Sequence, residues 1–318
     1  MKYSKILLSM FILMMSLSLS ACNKAEDTTK DIYSQPTEAG ATSVTEVAVA
    51  YPLTITDSMG RSITFESEPQ SVVSIAPNIT EMIYALGLEN RLIGRTELCD
   101  FPEAVLSIDT IGTLMEPNIE KIVSLKPEVV IASTHFSEES EKQLSDLGIK
   151  VVILYEEHQM DGIYTMIETM GSIFNVSDQA NQVVNHMKTS IEETATKVEG
   201  LEAPSVYIVI GYGEYGDYTA GGDTFMHQLI SLAGGKNIAS EVQGWSYSLE
   251  SLIEADPSII LINEDLKEDF ILSENYQDLS AVKENRVFGI NTDLLDRQGI
   301  RNAEGIRLLA EIFHPESF

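Results

Sequence analysis

Basic residues are scarce in this chain, and so are cysteine, histidine and tryptophan. Twenty Lys+Arg stand against 49 Asp+Glu, which gives the 318 residues a formal net charge of −29. A surface this negative repels phosphate backbones and anionic head groups, so a nucleic-acid-binding role and a polybasic membrane-surface role are both excluded. The five histidines, at 135, 158, 186, 227 and 314, are scattered, and neither His-Glu-x-x-His nor a Gly-x-Ser-x-Gly elbow occurs. Hydrolytic chemistry on a metal or a serine therefore has no nucleophile–base pattern to stand on. No Gly-x-x-x-x-Gly-Lys-Ser/Thr loop is present, so ATP hydrolysis falls to another chain. An enzyme is not expected, nor is a resident cofactor or a metal of the protein's own. What the chain does have is an ordinary globular composition, 44% hydrophobic and 22% charged. At roughly 100–200 residues per domain, its length predicts two domains.

The N-terminal end differs from the rest. Lys2 and Lys5 precede an apolar stretch from Ile6 to Leu19, and Leu19-Ser20-Ala21-Cys22 closes it. The stretch is shorter than the about 20 apolar residues a transmembrane helix needs, and it has the layout of a secretory signal. Its end resembles a bacterial lipobox, which implies cleavage after residue 21 and lipidation of Cys22. Residues 22–50, poor in large apolar side chains, then read as a flexible tether. The expected location is the outer face of the cell membrane, held there by lipid alone, or the periplasm. Loss of residues 1–21 takes Lys2 and Lys5 with it, which leaves 18 basic against 49 acidic residues and a net charge of −31. With Cys22 acylated, Cys99 has no partner for a disulfide.

From Tyr51 the pattern is strand, helix, strand. Short β-branched runs at 72–75, 91–94, 128–132 and 150–154 alternate with helical periodicity, and the same alternation resumes at 206–210, 258–262 and 286–290. Continuous apolar strands separated by helices indicate parallel sheets covered on both faces. Asn78, with Glu81 three residues on, has capping-box spacing for the first helix. Between the halves, Val183, Val184, Met187, Ile191 and Val198 keep one face of a helix over 177–198, about 33 Å long at about 1.5 Å per residue. The expected fold is α/β: two Rossmann-like lobes with central, mostly parallel sheets, joined by one long α-helix, with a ligand cleft between them. The expected boundaries are 51–176 for the N-terminal lobe, 177–199 for the linking helix and 200–318 for the C-terminal lobe.

One phrase occurs in both halves. Asn118-Ile119-Glu120 leads through Ile122, Val123 and Pro127 to a strand at Val129; Ser248-Leu249-Glu250 leads through Leu252, Ile253 and Pro257 to one at Ile259. Spacing alone assigns Glu120 and Glu250 to compensation of a helix dipole, worth about 0.3–1 kcal/mol each. It also allows a second role, as matched carboxylates on two lobes that meet basic sockets on a partner.

The chain resembles the helical-backbone class (class III) of ABC-importer substrate-binding proteins, which handle ferric siderophores, haem and cobalamin. The resemblance is carried by Ser71 to Glu81, Gly94 to Pro102, Pro117 to Pro127, Tyr218-Thr-Ala-Gly221, Ala233 to Asn237, Tyr247 to Glu250 and the stretch 297–315. It implies a lipid-anchored receptor, monomeric, that delivers a small-molecule metal chelate to a permease dimer with its ATPase subunits. It also implies that Glu120 and Glu250 dock onto permease arginines. A ferric siderophore ranks first as cargo, with cobalamin close behind and haem third.

Ligands of open α/β sheets bind beyond the carboxyl ends of the strands. The loops there hold the candidate ligand-binding residues Asn78, Arg95, Cys99, Met115 and His135 on the first lobe, and Tyr212, Tyr215, Trp245 and Arg297 on the second. Flat aromatic faces suit a macrocycle, and arginines suit ligand carboxylates or catecholates. His135 is either a surface loop histidine or an axial ligand, Met115 packing filler or an iron ligand, and Cys99 a buried thiol or a ligand. Gly211, Gly213 and Gly216 match a dinucleotide-binding spacing, but Gly216 is followed by more loop instead of a helix, so that site is not expected. A receptor for a bare first-row metal ion is the third possibility, weakened by the dispersal of the histidines.

Overall fold

The computed structural model describes residues 49–318 except 157 and 215, and these belong to one compact unit. The signal segment, Cys22, nearly all of the tether, and Tyr215 lie outside the described residues. The fold opens on an antiparallel hairpin that the sequence pattern did not single out, β1 (Leu53–Thr56) and β2 (Ser62–Phe65), with Thr56 paired to Ser62. The first lobe then runs β3 (Val72–Ser74), α1 (Pro77–Ala85), β4 (Leu92–Arg95), α2 (Ile119–Leu125), β5 (Val129–Ala132), α3 (Glu138–Asp146), β6 (Lys150–Ile153) and α4 (Met160–Ile173). Helix α5 (Ser177–Val198) leads into the second lobe. There the order is β7 (Ser205–Ile208), β8 (Asp217–Tyr218), α6 (Phe225–Leu232), β9 (Lys236–Asn237), β10 (Ser246–Tyr247), α7 (Leu249–Ala255), β11 (Ile259–Asn263), α8 (Lys267–Leu272), α9 (Ser280–Lys283), β12 (Val287–Ile290), α10 (Asp293–Asp296) and α11 (Asn302–Phe313).

Each lobe is built on a four-stranded parallel sheet, β4-β3-β5-β6 in the first and β9-β7-β11-β12 in the second. Numbered within its lobe, each sheet has the same order, second-first-third-fourth, so the chain reverses direction between the first and third strands in both. Strands β3 and β5 are buried throughout and β11 at all but its last residue, as their Val/Ile/Leu-rich runs require. A small antiparallel pair, β8 with β10, adds to the second lobe.

The echo of the two halves is structural. Helices α2 and α7 have seven residues each, an N-cap side chain that accepts from the N–H three residues on (Asn118 from Lys121, Ser248 from Ser251), and a left-handed C-cap (Lys126 φ 53°, Asp256 φ 36°). Glu120 and Glu250 occupy the second position of these helices, and both are exposed.

Helix α1 departs from the capping-box expectation. It begins at Pro77, its N-cap is Ala76 with no side-chain cap, and Asn78 and Glu81 are buried inside it. Proline at the first position needs no N–H partner there, and both polar side chains make contacts beyond the helix. Glu81 accepts from Arg301 at 2.9 and 2.6 Å, and the Asn78 amide donates to Ser133 Oγ and to the Gln298 carbonyl.

Candidate interlobe cleft

Loops from both lobes enclose a cleft of about 1130 Å³. The first lobe supplies the loop after β3 (Ala76–Asn78), the loop after β5 (Ser133–Phe136), Leu114, the exposed ends of Glu138, Glu141 and Lys142 on α3, and Ile153, Tyr155 and Glu156 after β6. The loops after β3 and β5 flank the point where the chain reverses direction, where ligands of open α/β sheets sit. The second lobe supplies Asp223–Met226 at the start of α6, Gly244 and Trp245 before β10, and Leu295–Gln298 at the end of α10 and just beyond it.

Two straps cross between the lobes. At one, Arg301 pairs with Glu81 while Arg297 pairs with Glu81 at 3.0 Å, with Asp100 at 2.7 Å and with Asp293 of its own lobe at 2.8 Å. The Arg301 guanidinium also lies over the Phe101 ring at 4.3 Å. Burial opposes charge on Asp100, yet the Arg297 guanidinium holds its carboxyl below the usual range; the same carboxylates outweigh burial at Arg297 and raise its pKa. At the other strap His158 Nδ1 meets the Asp223 carbonyl at 2.8 Å, and the Met160 N–H donates to Gln228 Oε1 at 2.7 Å.

Of the residues expected at the ligand, Asn78, His135, Trp245 and Arg297 line the cleft. His135 does so with a left-handed backbone, φ 67°, unusual for a residue with a side chain. Trp245 is 46% exposed, an aromatic face open to the cleft. Arg297 lines the wall with its guanidinium already shared among three carboxylates.

Four other candidates face elsewhere. Arg95 is 6% exposed and donates to the Val105 and Thr96 carbonyls, so it braces the loop that follows β4. Cys99 is fully buried against the Thr96 hydroxyl, and burial raises its thiol pKa; it is a packed thiol. Met115 is 61% exposed at a turn tip outside the cleft, whereas its neighbour Leu114 points in. Tyr212 belongs to an aromatic core, edge-on to Phe270 and Tyr276 at 5.1 and 5.6 Å. It is drawn there because the loop after β7 doubles back, with Ile210 N–H donating to the Tyr218 carbonyl and Gly213 N–H to the Tyr276 hydroxyl.

The hairpin contributes cleft residues that the sequence analysis missed. Met59 and Arg61 sit in the β1–β2 turn and line the cleft. Asp57 fixes that turn, accepting from the N–H groups of Met59 and Arg61 and from the Arg61 guanidinium, and it ties the turn to Ile153 of β6. Burial alone would raise the Asp57 pKa; these bonds hold it below the carboxylate range. The signal was present as Asp-Ser-Met-Gly between two alternating β-branched runs. Tyr155, Glu156 and His158 were missed with it. Among the described residues no cluster of three or more metal-ligating side chains gathers, and no helix is long and apolar enough to cross a membrane.

Comparison with known proteins accords with this architecture. The profile of a family described as "Periplasmic binding protein" matches residues 72–294. The chain belongs to that family. This periplasmic binding protein is 31% identical over 315 residues, 96% of each chain, to YvrC of Bacillus subtilis, an uncharacterized ABC transporter substrate-binding lipoprotein. A vitamin B12-binding protein of Pectobacterium carotovorum is 27% identical over 73% of this chain and 84% of its own. Among solved structures, a possible iron-binding periplasmic solute-binding protein of Staphylococcus epidermidis has a TM-score of 0.69 at 26% identity, and covers 77% of this chain and 99% of its own. Proteins of this family bind substrates for transport and are not enzymes.

Proposed function

We propose that this periplasmic binding protein captures an uncharged metal macrocycle or chelate outside the cell and delivers it to an ABC permease dimer, with cobalamin as the leading candidate. The observation that carries this is the cleft itself. Its about 1130 Å³ exceeds the roughly 300–1,000 Å³ typical of drug-sized ligands. Phe136, Tyr155, Phe225 and Trp245 give it broad aromatic and apolar walls. The arginines that favoured an anionic ferric siderophore do not offer open donors, because Arg95 is buried in its own loop and Arg297 is ion-paired three times. The B12-binding relative supports a corrinoid. A ferric chelate is the second reading, favoured by the iron-binding structural neighbour and narrowed to uncharged types such as hydroxamates. We assign Cys22 to lipidation and Glu120 and Glu250 to permease docking on the strength of the resemblance and of their matched, exposed positions.

Trp245 is the chain's one tryptophan, so its fluorescence reports the cleft alone. Titration with cyanocobalamin is expected to quench it saturably, with an uncharged ferric trihydroxamate and haemin as comparisons. Saturable binding of the trihydroxamate but not the corrinoid selects the second reading. Failure of all three refutes the cleft as a site for this class of cargo.

A further inference from the structure

We propose that Glu141 sets the charge preference of the cleft by occupying Arg61, an inference that rests on the cleft being the cargo site. Three permanently cationic side chains line that cleft, Arg61, Lys142 and Arg297. Arg297 is largely buried and held by three carboxylates. Lys142 pairs with Asp146 at the solvent-exposed rim, where an ion pair contributes little and is screened by salt. Arg61 differs from both, because its side chain is 33% exposed and its guanidinium is divided between two unlike partners.

One edge is fixed. Nε and Nη2 donate to Asp57 Oδ2 at 3.0 and 2.6 Å, and Nη2 also reaches the Val151 carbonyl at 3.3 Å. The Asp57 side chain is inaccessible to solvent and is itself held by backbone N–H groups, so this half of the pairing has no freedom. The other edge depends on a separate element. Nη1 lies 2.6 Å from Glu141 Oε1, on α3, and that carboxylate is partly exposed and shared with the Ser145 hydroxyl.

With Glu141 in place, the most accessible guanidinium of the cleft presents no free charge. The lining then holds five carboxylates, Glu138, Glu141, Glu156, Asp223 and Asp296, against three cations that are all engaged. An anionic chelate entering here meets like charge and must expel Glu141 to reach Arg61, whereas an uncharged one meets neither obstacle. Glu141 is therefore a specificity-determining residue, and Arg61 is a latent anion site that it keeps closed.

Two ferric probes of similar bulk test this, an uncharged trihydroxamate and a trianionic tricatecholate, each titrated by Trp245 quenching. The wild type is expected to favour the uncharged probe by at least about tenfold, and Glu141→Gln to narrow that preference by about tenfold. Glu138→Gln removes the same charge from the same helix turn without touching Arg61 and is expected to narrow it far less. Adding Arg61→Met to Glu141→Gln restores the preference. A wild type with no preference, or equal effects of Glu141→Gln and Glu138→Gln, overturns the proposal. A second measurement needs no cargo: modification of Arg61 by phenylglyoxal, followed by peptide mass, proceeds faster in Glu141→Gln than in wild type or Glu138→Gln. Equal rates overturn the closure of Arg61 by Glu141. The expected rates with no binding of any probe refute the cargo site instead.

Discussion

Glu81 shows how a single buried charge can hold two lobes together. It is almost fully enclosed, and its carboxylate is shared by Arg297 and Arg301 from the opposite lobe. Such a group is tolerated inside a protein only while its partners remain. Arg301→Met is therefore expected to destabilise the fold by up to about 3–5 kcal/mol in urea denaturation, because it removes two of the bonds to the buried Glu81 carboxylate and leaves it the single Arg297 contact. Glu81→Gln combined with Arg301→Met should cost less than the sum of the two single changes, since the couple is removed together. Residues of this kind are hard to read from sequence. Glu81 had the spacing of a local cap, and only the approach of residues 297–301 reveals its long-range role. The same difficulty separates Leu114 from Met115: loop position tells which residues lie near a cleft, but the direction of each side chain depends on turn geometry. Asn78, His135 and Trp245 line the cleft because each sits in or beside a loop at its mouth, a position that the strand pattern makes readable, although their contact with a ligand does not follow from it.

At the scale of elements, the seven-residue helices α2 and α7 carry the matched pair Glu120 and Glu250. Their common length, caps and left-handed ends place the two carboxylates at equivalent positions on the two lobes. Reversal of both charges, Glu120→Lys with Glu250→Lys, is expected to abolish uptake in cells while cargo affinity, measured on the purified protein, stays unchanged. Uptake at the wild-type rate would remove the docking role. Long elements with a strong period were legible: the apolar stripe of α5 and the β-branched strands of both sheets follow directly from burial. The hairpin β1–β2 was not, because four-residue strands next to a polar tether look like an extension of it. That omission hid Met59 and Arg61, which line the cleft only because Asp57 pins their turn to β6.

Over the whole molecule, acid is the condition that loosens the fold. Asp57, Glu68, Asp100 and Asp256 all have carboxyl pKa values held below their ordinary range; burial is the largest influence on the first three and raises them, but arginine partners outweigh it, while Ser280 is the main cause at Asp256. A carboxyl held low in the folded state stabilises it fully above the unfolded value, near 3.9 for Asp and about 4.3 for Glu, and that contribution fades as pH falls through the folded value. Asp296, in the cleft wall, is raised by burial and acts in the opposite sense. Four groups against one make the expected result a melting temperature that declines below about pH 4. A melting temperature that stays level or rises on acidification to pH 3 would contradict the dominance of these pairs.

The place where the chain comes into the fold has a mechanical consequence. The Val49 N–H donates to the Asn175 side chain and the Tyr51 hydroxyl to the Ile173 carbonyl, at the junction between α4 and the linking helix. These bonds seat the start of the described chain on the first lobe beside the linking helix, and none of the four residues lines the cleft. A pull applied at Val49 would therefore load the junction of α4 and the linking helix before it reached the loops that line the cleft.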